Sequence, residues 1–178
     1  STVQHFGRLD ILVTNAGGPP SGQFMELAEE RWGEAISLLV LSVVRLCHEA
    51  VPHMRKEGGG RIINLTSFSV RHVLDNLVLS NSLRLAVVGL SKTLALELGK
   101  FNITVNSVCQ GYTATERLRA LIADSARRRG VEASAVEKEW RGGIALGRFA
   151  EPAEIANVVL FLASGRASYV TGAALLVD

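Results

Sequence analysis

Leu79-Ser80-Asn81-Ser82-Leu83-Arg84-Leu85-Ala86-Val87-Val88-Gly89-Leu90-Ser91-Lys92-Thr93-Leu94-Ala95-Leu96-Glu97-Leu98 reads as one helix. Leu83, Val87, Leu90, Leu94 and Leu98 recur at helical spacing and predict a buried stripe. Ala86, Gly89 and Ala95 are small enough to let another backbone come close. Ser80 and Arg84 stand four apart, so both side chains emerge on one face of the first turn. A polar pair at the start of an apolar helix is either an end cap or part of a site, and the helix alone leaves both open.

Working outward, a strand is predicted on each side. Arg61-Ile62-Ile63-Asn64-Leu65-Thr66-Ser67 precedes the helix, and Asn102-Ile103-Thr104-Val105-Asn106-Ser107-Val108-Cys109 follows it, closed by Gln110-Gly111. Upstream, Leu9-Asp10-Ile11-Leu12-Val13-Thr14 is continuously apolar, as in a strand buried on both faces, and Asn15-Ala16-Gly17-Gly18-Pro19-Pro20 ends it. A long helix is predicted from about Ala28 to Lys56, with Trp32, Ala35, Ile36, Leu39, Val43, Leu46, Cys47, Ala50 and Met54 on its buried stripe. Downstream comes a polar helical excursion over about Thr115 to Trp140, with Ser134-Ala135-Val136-Glu137 spaced as a capping box. Glu151-Pro152 starts another helix, and Ala173 to Val177 is a last strand. Strands alternate with helices, which predicts an α/β fold with a parallel sheet in one domain over residues 1–178. In such sheets ligands bind beyond the carboxyl ends of the strands. Asn15-Ala16-Gly17, Thr66-Ser67, Gln110-Gly111 and Ser80 are all expected at that edge.

The 178 residues are enough for a sizeable core, and 48% hydrophobic with 20% charged is an ordinary globular balance. No apolar run reaches the length of a membrane span and no signal peptide is visible, so neither a membrane nor secretion is expected. A net charge of +2 without a basic face argues against nucleic acid. Arg127-Arg128-Arg129 reads as a solvated helix end. Cys47 and Cys109 are expected to be buried free thiols in a reducing compartment, hence a cytoplasmic protein. His48 and His53, five apart, are poorly spaced for one metal, and no metal site is predicted.

The order of these pieces resembles the short-chain dehydrogenase/reductase family, in detail its 3-oxoacyl-(acyl carrier protein) reductase-type members. Thr14-Asn15-Ala16-Gly17 resembles the family's N-N-A-G element, and Gly60 to Ser67 the strand that delivers the catalytic serine. Ile103-Thr104-Val105-Asn106 with Gly111 resembles its I-T-V-N…P-G segment, and Tyr169-Val170-Thr171-Gly172…Val177-Asp178 its end. The resemblance implies a Rossmann-like, doubly wound parallel sheet of which this chain is the C-terminal portion, about four strands. In such members a strand, a Gly-rich phosphate loop and two further βα units precede the region that Ser1 opens. The chain is therefore expected to be a fragment, a natural truncation being the alternative, with Ile11-Leu12-Val13 on an exposed edge.

Residue by residue, the resemblance puts the catalytic serine at Ser67, the tyrosine position at Ser80, the lysine position at Arg84 and the supporting asparagine position at Leu39. Only Ser67 matches. An alkyl hydroxyl is a far weaker acid than a phenol and sits on a shorter stem. Arg84 keeps a permanent charge and is no proton relay, although it can hold ribose hydroxyls or a carboxylate. The implied cofactor is NAD or NADP, NADP slightly favoured, with Asn15, Ala16, Gly17, Arg84, Gly111, Thr113 and Thr115 as its contacts. The implied activity is an atypical oxidoreductase of small carbonyl or alcohol substrates. The alternatives are a binding or scaffold protein that lost catalysis, or a non-redox enzyme such as a hydratase or isomerase that uses Arg84 to hold an anion. Tyr112 is a candidate proton donor or pocket wall, and His72 a candidate acid or an exposed loop residue. Wide apolar faces on the two long helices, which pair in the family's dimers, predict a homo-oligomer, dimer or tetramer.

Overall fold

The computed structural model describes residues 2–178. A short helix α1 (Thr2–Phe6) leads into β1 (Ile11–Thr14), α2 (Glu29–Lys56), β2 (Gly60–Leu65), α3 (Val78–Leu98) and β3 (Ile103–Gln110). Then come α4 (Glu116–Arg129), α5 (Ala133–Gly142), α6 (Pro152–Ala163) and β4 (Ala174–Val177). The four strands are parallel and lie in sequence order, β1-β2-β3-β4. This is the predicted half of a doubly wound sheet, with α2 and α3 on one face and α6 on the other. The first face buries Val43, Cys47, Ala50 and Met54 of α2 and Val87, Ala95 and Leu98 of α3 against Ile62, Ile103 and Val105. On the second, Ile155 and Leu162 of α6 pack on Ile63 and Val108.

A chain of buried polar bonds crosses the sheet. Thr14 donates to Asn64 (2.7 Å), Asn64 donates to Ser91 on α3 (2.8 Å), and Ser107 donates to Ser91 (3.0 Å). Ser91 donates in turn to the Val87 carbonyl at 2.8 Å. Three strands and a helix thereby share one saturated network, and every buried partner is satisfied.

Several expectations need correction. Among the described residues β1 pairs with β2 alone, and Ile11 and Val13 are 46% and 42% exposed instead of buried on both faces. Ile36 and Leu46 lie outside the buried stripe of α2. Each stands at the flank of the stripe, next to the buried Ala35 and Cys47, and a π-helical segment, Ser37–Leu41, lies between them. α2 is also long and apolar enough to cross a membrane by length and composition, contrary to the reading of the sequence. Its inner face packs on the sheet, and apolar residues on both its faces raise its hydropathy. The polar excursion is two helices, and the cap of the second is Glu132; Ser134 lies inside the helix, so the expected capping box does not form. Arg127, Arg128 and Arg129 form the exposed last turn of α4, the solvated helix end expected, and pair there with Asp124, Glu26 and Glu139. Cys47 and Cys109 are buried and free, and burial pushes the Cys47 thiol up to about 11.

Candidate active site

The carboxyl ends of β1, β2 and β3 open onto one crevice of about 310 Å³. Asn15, Ala16 and Gly17 line it from the end of β1, Ser67 from the end of β2, and Gly111, Thr113 and Thr115 from the end of β3. Ser80 and Arg84 line it from the first turns of α3. All nine residues singled out in the sequence thus converge, because each follows a strand of the same parallel sheet.

Ser80 is no cap. It is the third residue of α3, whose N-cap is Leu77 and carries no capping side chain. Ser80 is 9% exposed, and its hydroxyl oxygen accepts from Nε of Arg84 at 3.2 Å. A hydroxyl that accepts from a guanidinium keeps its own proton for another acceptor, and the neighbouring charge polarises it. Ser67 stands in the same state: its oxygen accepts from the Ser69 N–H at 3.1 Å, leaving its proton to donate. Nη1 of Arg84 lies 3.4 Å from the Leu65 carbonyl. Burial pulls the Arg84 guanidinium below its ordinary range, with Arg117 as the second cause, and the group stays charged.

Leu39 closes the side where a polar relay was in question. It lies in the π-helical segment, 3% exposed, in a dry cluster with Ala35, Leu79 and Leu83. Tyr112 is a wall of the crevice, stacked on Trp140 with ring centroids 4.8 Å apart. Burial raises its phenol further above the ordinary value, which makes it a worse acid at neutral pH. His72 is exposed and does not line the crevice. No group of three or more metal-ligating side chains exists among the described residues.

Arg117 is the residue that the sequence reading missed. It follows the N-cap Thr115 by two positions, lines the same crevice as Arg84, and donates to the Pro19 carbonyl at 2.6 Å. Gly18 makes room for it: a Cβ there would stand 2.7 Å from Arg117 Nε. Inside a stretch read as a polar excursion it looked like one more solvated charge. Its signal was position, since the first turn of a helix disfavours a cation. Phe68, Leu74, Leu77 and Leu121 supply an apolar wall. A second hollow of about 340 Å³ continues from it past Leu74, Leu77, Tyr112 and Leu121.

Comparison with known proteins gives consistent matches. The family model described as enoyl-(acyl carrier protein) reductase matches residues 1–178. The chain is 39% identical to a 3alpha-hydroxysteroid dehydrogenase of Mediterraneibacter gnavus, over 98% of this chain and 66% of that protein. It is 36% identical to a 3-oxoacyl-[acyl-carrier-protein] reductase of Thermotoga maritima, over 99% and 67%. The L-sorbose reductase from Gluconobacter frateurii, complexed with NADPH and L-sorbose, superposes with a TM-score of 0.91 at 35% identity, over 99% of this chain and 68% of that one. The chain spans about two thirds of the length of the curated relatives it matches.

Proposed function

This chain belongs to the short-chain dehydrogenase/reductase family, and from that premise we propose that it is the substrate-side part of an atypical NAD(P)-dependent oxidoreductase of small carbonyl or alcohol compounds. The observation that carries the reading is the convergence of Asn15, Ala16, Gly17, Ser67, Ser80, Arg84, Gly111, Thr113 and Thr115 on one crevice. The crevice fits half of a dinucleotide. Its volume of about 310 Å³ suits a nicotinamide riboside, and its rim combines glycines with hydroxyls and fixed cations.

A bound nicotinamide supplies or takes up the hydride. The residues of this chain do the rest. The Ser67 and Ser80 hydroxyls, both with protons to donate, hold the substrate oxygen. Arg84 polarises Ser80 through Nε and offers its remaining N–H groups to the ligand. Phe68, Leu74 and Leu77 exclude water beside the reacting carbon. The weak step is proton transfer. A serine is a much poorer acid than a phenol, so turnover is slow and polarisation by Arg84 matters more than it would beside a tyrosine. Full-length protein, followed by nicotinamide absorbance with a panel of ketones and alcohols, tests this. Turnover that falls in Arg84→Ala supports it, and failure to bind any dinucleotide sinks it.

A second reading, a binding protein that kept the fold, is favoured by one observation: Leu39 fills the relay side with a dry apolar cluster. Dinucleotide binding without any turnover would select it. Self-association belongs to both readings. Leu38, Leu41 and Leu46 of α2 and Leu85 and Leu96 of α3 are exposed, and burying such faces against a second copy supports a homo-oligomer. A monomeric light-scattering mass at micromolar concentration would contradict it.

A further inference from the structure

Two guanidinium groups face the same crevice, Arg84 from α3 and Arg117 from α4. Among the described residues neither lies within ion-pair distance of a carboxylate, whereas Arg8, Arg31, Arg127, Arg128, Arg129, Arg141 and Arg148 each pair with one at the surface. Their protein partners are neutral oxygens: Ser80 Oγ and the Leu65 carbonyl for Arg84, the Pro19 carbonyl for Arg117. Asp124, the carboxylate that acts on Arg117 from a distance, is already engaged by Ser21, Asn76 and Arg127. Burial lowers the pKa of both guanidinium groups, and the charge of Arg117 adds to the lowering at Arg84. Two like charges drawn into one partly desolvated hollow without a counterion are costly, and a bound anion removes the cost.

We propose that Arg84 and Arg117 form an oxyanion clamp that takes a phosphoryl or carboxylate group into the crevice. Each guanidinium is tethered to a neutral oxygen on one side and keeps further N–H donors for the other, the fork geometry that suits two-oxygen acceptors. Gly18 and the Thr115 cap hold Arg117 at the rim, and the α4 N-terminus behind it adds backbone N–H groups of the same polarity. The clamp occupies the proposed redox crevice, and its occupant rests on that reading: a phosphate of the dinucleotide or an acidic group of the substrate.

Calorimetric titration of the full-length protein with sodium pyrophosphate, with sodium malonate and with NADPH tests it. At low salt at least one oxyanion binds, and Arg117→Gln weakens it about tenfold or more, about 1.4 kcal/mol. Arg117→Lys, which keeps the charge and loses the fork, recovers part of that, and it replaces the glutamine variant if the latter fails to fold. Arg141→Gln, on an exposed surface pair, leaves binding unchanged. Pyrophosphate that competes with NADPH identifies a cofactor phosphate as the occupant. Malonate that binds together with NADPH identifies an acidic substrate. Binding of NADPH with neither oxyanion bound overturns the clamp and leaves the oxidoreductase reading standing. Oxyanion binding without any dinucleotide binding upholds the clamp and sinks that reading. Equal oxyanion affinity in the wild type and both Arg117 variants also overturns it.

Discussion

Helix α3 carries two buried serines whose situations are opposite. Ser91 accepts from Asn64 and from Ser107 and donates to Val87, so its hydrogen-bonding capacity is spent inside the fold. Ser80, three turns earlier, accepts from Arg84 and keeps its proton for something that is not protein. The one serine is a joint between strands, the other a surface of the crevice. A buried polar group that is saturated stabilises a fold, and one that is left with capacity points to a ligand. The same distinction separates Arg31, Arg128, Arg129 and Arg148, each paired with a carboxylate at the surface, from Arg84 and Arg117, which line the crevice and have none within ion-pair distance among the described residues.

The largest test of the saturated end is Asn64→Ala. It strips Thr14 of its acceptor and Ser91 of a donor in a dry interior, and costs about 3 kcal/mol. The urea midpoint falls at unchanged m-value. A loss under about 1 kcal/mol would mean that the network is no joint. At the open end, Ser80→Tyr combined with Arg84→Lys supplies a phenol and an activating cation. Turnover of a carbonyl substrate should rise about 100-fold, about 2.7 kcal/mol of barrier. Unchanged turnover would break the link between unspent capacity and catalysis.

Leu39→Asn sharpens the comparison from the apolar side. It inserts an amide among Ala35, Leu79 and Leu83 and costs about 2 kcal/mol, read as a lower thermal midpoint. A neutral outcome would reveal a polar partner there. The smallest effect is at the surface. Arg148, first, and the Glu151 N–H hold the Glu154 carboxyl at about 2, below its ordinary 4.5. A lowered folded-state value means that this contribution is present above about 4.5 and is lost as pH falls towards 2. Glu154→Gln removes this contribution, so stability above about pH 4.5 falls slightly, the acid limb of the stability curve flattens in that window, and the two proteins converge at the acid end.

Legibility followed the range of the interactions. The βα alternation, the stripe of Leu83, Val87 and Leu98, and the Pro152 helix start rest on spacing within a single element, and they were readable. Convergence of Ser67, Ser80 and Gly111 on one edge follows from parallel topology, so it was readable too. Arg117 was not, because its importance depends on Gly18 and Pro19, which lie about a hundred residues away in the chain. The misplaced capping box had a local competitor: Glu132 takes the cap position two residues before Ser134. Ile36 and Leu46 failed because each stands at the flank of the stripe, next to the buried Ala35 and Cys47, on a side of α2 that nothing among the described residues covers.

By itself the sequence determined which elements form, their order, and which residue types stand at the ends of the strands. Those follow from periodicity and from the backbone preferences of glycine, proline and the capping residues. It also put Ser80 and Arg84 on one helical face, without deciding between cap and site. Tertiary structure decided that question, by starting α3 at Val78 and burying Ser80 against the crevice. It also decided that Arg84 and Arg117 line one crevice, close enough for the charge of one to act on the other, with no carboxylate among the described residues in ion-pair distance of either. The physical reason is that hydrogen-bond saturation and charge compensation are properties of neighbours in space, which helical spacing does not encode.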